Sequence, residues 1–245
     1  MNFNTFLLSA ILIVTISPIA LFAFFASEES TEPETIEVPQ TIPEQRADTK
    51  SWLNPLDQLN ETNQCIACNL AKKDFSTLDL SRVNLSQADL TQTNFSQSQL
   101  VNAVLPQAQL EAAQLIETNA TGADFNQVNL KQADLTRAQM MHISLIQANL
   151  DNAILNNVEL REAALNQSTM KNAELVNASF YGAMLREANL SGANLQGADL
   201  RYTDLTDANF TGANLEGIQL EGAILPDGSN YSGSDDIIIL SGDGQ

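Results

Sequence analysis

Few residues in this chain could do chemistry. Its 245 residues include two cysteines, Cys65 and Cys68, and one histidine, His142. Cys65-Ile66-Ala67-Cys68 is a C-x-x-C, a spacing that serves thiol redox work beside a βαβ unit. No βαβ pattern surrounds it here. A zinc site takes about four ligands, and His142 lies 74 residues beyond Cys68. The pair therefore reads as structural, either a disulfide or two buried thiols pinning an N-terminal cap to the main domain. A single histidine cannot supply a constellation that needs two, and neither a G-x-S-x-G nor a glycine-rich phosphate loop occurs. Asp and Asn recur beside apolar residues, where they could be mistaken for calcium ligands or paired acids. Their regular recurrence is what turns need, because a short polar side chain can bond its own backbone. No enzyme activity, cofactor or metal is expected.

Those residues are positioned by a repeat of five. From Leu70 to Leu225 every fifth residue is apolar, and the 32 positions hold 24 Leu, five Phe, two Met and one Ala, Ala120. Two residues before each, the side chain is mostly small, with Ala in 19 of the 32. Neither a helical period of 3.6 nor a strand period of 2 produces this spacing, and a two-stranded coiled coil needs 3.5. A short extended segment followed by a turn does. Each unit then points one large and one small side chain inward and the rest outward. No coil can bury its own apolar face, so the coils must stack. Each buried central Leu contributes on the order of 1.5–3 kcal/mol.

Ala188-Asn189-Leu190-Ser191-Gly192, Ala193-Asn194-Leu195-Gln196-Gly197, Ala198-Asp199-Leu200 and Ala213-Asn214-Leu215-Glu216-Gly217 resemble the A-(D/N)-L-X-X motif of the pentapeptide-repeat family. The resemblance covers residues 65–228 and implies an all-β fold, a right-handed quadrilateral β-helix with four pentapeptides per coil. On that basis the 32 units make about eight coils, roughly 38 Å of stack at about 4.8 Å each. Family members often open with a similar C-x-x-C-(D/N)-L, matched by Cys65, Cys68, Asn69 and Leu70. The stretch 151–171 departs most from the motif, with Ile154, Glu159, Ala164 and Thr169 in place of Asp or Asn. Altered turns and an intact coil are expected there.

The flanks have other compositions. Residues 6–26 form an apolar run long enough to cross a bilayer and placed like an export signal. It lacks Lys or Arg ahead of it and a good cleavage site, so residues 1–26 read as either a signal peptide or a membrane anchor. Residues 27–50, rich in Glu, Thr and Pro, have the composition of a disordered acidic linker. The main domain is then expected outside the cytoplasm, in a periplasm or thylakoid-lumen type of compartment. Residues 51–68 read as a helical cap carrying the C-x-x-C, with Asn54 as N-cap, Pro55 at the first helical position, and Trp52, Leu53, Leu56 and Leu59 over the first coil. The repeats occupy 69–228, and Pro226-Asp227-Gly228 is a turn that ends the winding. In the tail, 229–245, Ile237-Ile238-Ile239-Leu240 folds back as a capping strand, forms a homodimer contact or is disordered.

With 30 acidic and 11 basic residues, direct nucleic-acid binding is not expected, since phosphate contacts need clustered cations. If twenty residues make one coil, Met141, Arg161, Tyr181 and Arg201 stack in a column, with His142, Ile146, Met184 and Tyr202 at its edge. Aromatic, Met and Arg side chains together are typical of contact surfaces. The expected function is a non-enzymatic binding or scaffolding protein that presents a rigid β-helical surface to a protein partner and meets the membrane through its N-terminal segment. The alternative comes from the resemblance, because some family members are acidic DNA mimics that regulate a type II topoisomerase. Against it stand the expected export and the mild surplus in the repeats, 17 acids to nine bases over 69–226.

Overall fold

The computed structural model describes residues 54–233. The apolar segment 6–26, the linker 27–50, Trp52, Leu53 and Ile237-Ile238-Ile239-Leu240 lie outside them. The chain divides between Thr49 and Lys50 into two units, and all described residues belong to the second.

From Gln64 to Ile224 the chain winds in coils of twenty residues. Parallel bridges join each residue before a central position to its counterpart twenty later, Gln64 to Asn84, Asn69 to Asp89, and so on up to Asp204 and Ile224. Four corners make each coil, so the β-helix is four-sided. The central residues form the core. Leu85, Leu90, Phe95, Leu100, Leu150 and Phe180 are fully buried, with the small residues beside them.

The unit around Leu90 shows why five residues suffice. The Leu90 N–H donates to the Gln109 carbonyl at 2.7 Å and the Gln92 N–H to the Glu111 carbonyl at 2.9 Å, both in the next coil. The Asp89 N–H reaches back to the Cys68 carbonyl at 2.8 Å, and the Thr93 N–H closes the turn on the Leu90 carbonyl at 3.1 Å. The fifth N–H, that of Thr91, is taken by Asp89 Oδ1 at 3.1 Å. Every donor of the unit is thus paired, as a half-buried backbone requires. The corner residue, here Gln92 with φ 56°, is left-handed, and for a non-glycine residue that costs about 1 kcal/mol. The ladder bonds on both sides hold it there.

Residues 151–171 do not show the altered turns expected of them. Asn152, Asn157, Glu162 and Gln167 keep left-handed corners with φ between 55° and 59°. What changes at Thr169 is the source of the fifth bond. There, and at three further units without their own Asp or Asn, an Asn or Asp just after the central residue of the preceding coil reaches up instead. Asp151 Oδ1 accepts from the Lys171 N–H at 2.9 Å, Asn156 Oδ1 from Val176 at 3.0 Å and Asn166 Oδ1 from Arg186 at 3.1 Å. Asn126 does the same for Ile146 at 3.0 Å, in a unit that has Ser144 in the motif position. Val104 and Ile224 are followed by Pro106 and Pro226, which have no N–H to satisfy.

Corners stack as well. Gln87, Gln107, Gln127, Gln147 and Gln167 form an amide ladder ending on Glu187, each side-chain N–H donating to the next side-chain oxygen at 2.9–3.3 Å.

At the N-terminal end, helix α1 (Pro55–Thr62) begins at Asn54, whose side chain accepts from the Leu56 N–H at 3.0 Å. Leu59 is buried and Leu56 packs against the core. The β-helix starts earlier than the motif suggests: Cys65, fully buried, fills the first central position, and its N–H donates to the Asn84 carbonyl at 2.8 Å. Cys65 and Cys68 form a disulfide. It closes one turn of the first coil rather than tying the helix to it, because both residues belong to the coil; α1 is held by packing. At the other end the chain turns at Asp227 and Gly228, Ile224 pairs antiparallel with Asn230, and Tyr231 lies against the core. Among the described residues, no helix is long and apolar enough to cross a membrane.

Candidate partner-binding face

Twenty residues per coil bring Met141, Arg161, Tyr181 and Arg201 into one column, each directly after a central residue and facing outward. A parallel column on the same wall holds Glu159, Ser179 and Asp199, each directly before one. Arg201 and Asp199 therefore share a row, as do Arg161 and Glu159. Arg201 donates from Nε and Nη2 to the two oxygens of Asp199 at 2.9 and 2.8 Å. Arg161 Nε lies 3.3 Å from Glu159 Oε2, and its Nη2 lies 3.2 Å from Met141 Sδ. The Arg201 guanidinium also sits 5.5 Å from the centre of the Tyr181 ring, a cation–π distance.

The hydrogen bond from Arg201 holds the Asp199 carboxyl below the usual carboxylate range, and Asp199 in turn holds Arg201 more firmly protonated. Between these rows lies an open groove of about 400 Å³ lined by Glu159, Arg161, Ser179, Tyr181, Asp199 and Arg201. A smaller hollow of about 180 Å³, lined by Met141, His142, Arg161, Glu162 and Tyr181, adjoins it.

The adjoining corner column runs through His142, Glu162, Gly182, Tyr202 and Gly222. His142 Nδ1 lies 3.4 Å from Glu162 Oε2. Tyr202 meets Tyr181 edge-on, with ring centres 5.2 Å apart. Its ring lies across the next corner, where a Cβ on residue 222 would fall 2.5 Å from Tyr202 Cδ1. Only glycine fits there, and the ring's position depends on it. At Gly182 a Cβ would stand in ordinary contact with Glu162 Cγ, at 3.4 Å.

Ile146 and Met184 do not join the wall. They lie past the corner on the neighbouring one, with Ile146 half-buried and Met184 46% exposed. On that second wall Arg186 Nη1 bonds Asp204 Oδ2 at 3.2 Å. Burial opposes the Asp204 charge, but bonds from Thr206 and Arg186 outweigh it and keep its carboxyl low. The carboxylates Glu159, Asp199, Asp204 and Glu162 are absent from the column read in the sequence. Applying the twenty-residue register to the positions two before each arginine would have found the first two.

The wall offers exposed rings and cations fixed by carboxylates. Among the described residues, no group of three or more His, Cys, Asp or Glu side chains could hold a metal ion.

Comparison with known proteins tracks the repeat. A family model described as pentapeptide repeats matches in eight overlapping copies, over residues 64–97, 94–132, 108–145, 133–172, 143–180, 153–192, 169–201 and 188–225. No curated protein matches. Similar solved structures include HetL, a pentapeptide repeat protein involved in heterocyst differentiation regulation from the cyanobacterium Nostoc sp. strain PCC 7120. It is 29% identical, covering 72% of this chain and 97% of that one with a TM-score of 0.42. QnrB1, a plasmid-mediated fluoroquinolone resistance protein, is 16% identical over 65% of this chain and 90% of its own, with a TM-score of 0.50, and the likeness concerns the fold alone. A pentapeptide repeat protein of the Arabidopsis thaliana thylakoid lumen is 26% identical over 47% of this chain and 68% of its own, with a TM-score of 0.26.

Proposed function

Because the chain belongs to the pentapeptide-repeat family over residues 64–225, we propose that it is a non-enzymatic binding or scaffolding protein, held outside the cytoplasm by residues 1–26. The wall of Arg161, Tyr181 and Arg201 carries this reading. Tyr181 and Tyr202 are exposed at 37% and 59%, while Asp199 and Gly222 hold Arg201 and Tyr202 in one arrangement. A surface whose side chains are already ordered loses little entropy on docking. The Cys65–Cys68 disulfide supports an oxidising compartment.

The test is fractionation of cells followed by cross-linking from a photoreactive residue at position 202. Enrichment of one partner in a membrane or non-cytoplasmic fraction is the expected result. Recovery from the cytoplasm with residues 1–26 intact would overturn the location, and absence of any cross-link from positions 181 and 202 would overturn the face.

The acidic surplus favours a second reading, a DNA-mimic regulator of a type II topoisomerase. Mimicry calls for continuous negative charge, whereas the arginines of this wall each neutralise a carboxylate. A supercoiling assay with the purified protein separates the two: inhibition at micromolar protein supports mimicry, and its absence rejects it.

A further inference from the structure

The last coil is closed along one side only. The Leu225 N–H donates to the Ser229 carbonyl at 2.7 Å and the Tyr231 N–H to the Ala223 carbonyl at 2.9 Å. The chain beyond the final turn thus runs back antiparallel over the side that holds Ala223 and Leu225, both buried. The sides before it differ. Ala213, Leu215 and Ile218 are only partly buried, whereas their counterparts one coil earlier, Ala193, Leu195 and Ala198, are fully buried.

The backbone of this coil is uncovered in the same place. One coil earlier the N–H groups of Leu190, Gly192, Leu195, Gly197, Leu200 and Tyr202 all donate to carbonyls of the last coil, at 2.8–3.0 Å. The equivalent N–H groups of the last coil, on Phe210, Gly212, Leu215, Gly217, Leu220 and Gly222, find no acceptor among the described residues. Unpaired donors along a partly uncovered apolar core make an open sheet edge, which is a template for a further strand.

What covers it must bring carbonyls and apolar side chains. Ile237-Ile238-Ile239-Leu240 has both. The antiparallel pairing of Ile224 with Asn230 already directs the chain from the closed side toward Ile218 and Leu215. Reach is sufficient as well. Walls packed face to face stand about 10 Å apart, and the five residues from Ser232 to Asp236 extend to about 17 Å. A second copy meeting this end is opposed by charge. Residues 202–245 contain eight acids and no Lys or Arg, so an end-to-end contact sets two such surfaces against each other. The tail carries Asp235, Asp236 and Asp243 of its own, but its short tether holds it at an effective concentration on the order of millimolar.

We infer that Ile237-Ile238-Ile239-Leu240 lies across the open end as a capping strand, with Leu215 and Ile218 beneath it and its carbonyls on the N–H groups of Leu215 and Gly217. This inference does not rest on the binding role of the arginine and tyrosine wall. The closed end leaves no edge to which a strand from another chain could add.

NMR on the intact chain tests it. Methyl cross-peaks are expected from Ile237, Ile238 or Ile239 to Leu215 or Ile218. Replacing all three isoleucines with Ser should erase them and speed amide exchange at Leu215 and Gly217 about tenfold or more, while Leu195 and Gly197, paired to the last coil, exchange as slowly as before. Absence of the cross-peaks, or equal exchange at Leu215 in the two proteins, overturns the inference. So does protection at Leu215 that rises with protein concentration together with a doubled mass in light scattering, because a second copy would then cover the end. Should the triple variant lose its fold, fast exchange at Leu195 reveals it, and the cross-peaks of the unaltered chain decide alone.

Discussion

Arg201 grips both oxygens of Asp199, at 2.9 and 2.8 Å, with a single inward-facing residue, Leu200, between them. Adjacent outward positions on one row of a flat wall lie close enough for a bidentate pair, and the same row places the guanidinium against Tyr181 of the coil below. The wall's chemistry is thus set within and between rows by the winding itself. Five-residue units also make the consequences of substitution sharply dependent on position.

Leu150 is fully buried, so Leu150→Asp places an unpaired carboxylate in the core and should cost several kcal/mol. Gln147→Asp only interrupts the exposed amide ladder, where Gln147 bonds Gln127 and Gln167, and should cost about 1 kcal/mol or less. Urea melts of the two variants check this. Equal midpoints would mean that the inward register is wrong.

Pro106 follows Val104, a unit with no Asp or Asn to accept a corner N–H. Pro106→Ala creates such an N–H and also frees the unfolded chain, and a loss of about 1–2 kcal/mol is expected. Adding Val104→Asn should recover the hydrogen-bond part of the loss. A double-mutant cycle without coupling would show that the corner N–H needs no partner.

Gly222→Gln would drive a Cβ to 2.5 Å from the Tyr202 ring and should destabilise by about 1–3 kcal/mol. Tyr202→Ala removes the obstacle and should restore most of it. The measurement is the thermal midpoint of the two single variants and the double variant. A double variant no better than Gly222→Gln would trace the loss to backbone strain instead of the ring.

The bond from Arg201 lowers the Asp199 carboxyl. A folded-state value below the unfolded one means that the stabilisation is complete above the unfolded carboxylate value, near pH 4, and is lost as the pH falls through the folded value. Thermal midpoints should therefore be level from about pH 7 to 5 and decline below about 4. Asp199→Asn should make that decline shallower, and an unchanged decline would exclude the pair as a contributor.

The spacing of leucines and alanines determined the stacked winding and its core, and the resemblance to pentapeptide repeats supplied the four units per coil that align Met141, Arg161, Tyr181 and Arg201. A period of five with one large and one small inward residue admits few backbones, and twenty residues per coil then fixes what stacks on what. The Asn54-Pro55 start of α1 was equally local, because a cap is chosen by adjacent residues. Other features depended on neighbours a whole coil away. The corner of Lys171 looks unsupported in its own pentapeptide and is served by Asp151 from the coil beneath. Cys65 reads as part of a cap motif, yet bonding to Asn84 makes it the first central residue. Nothing in Gly222 alone says that it lies over the Tyr202 ring. Ile146 follows Met141 and Met184 follows Tyr181 within one pentapeptide's length in sequence, but both face another way, because the corner turns their wall aside. Local repeat chemistry sets the path of the backbone, and only stacking decides which side chains meet, since those contacts join residues twenty apart whose types the repeat leaves free to vary.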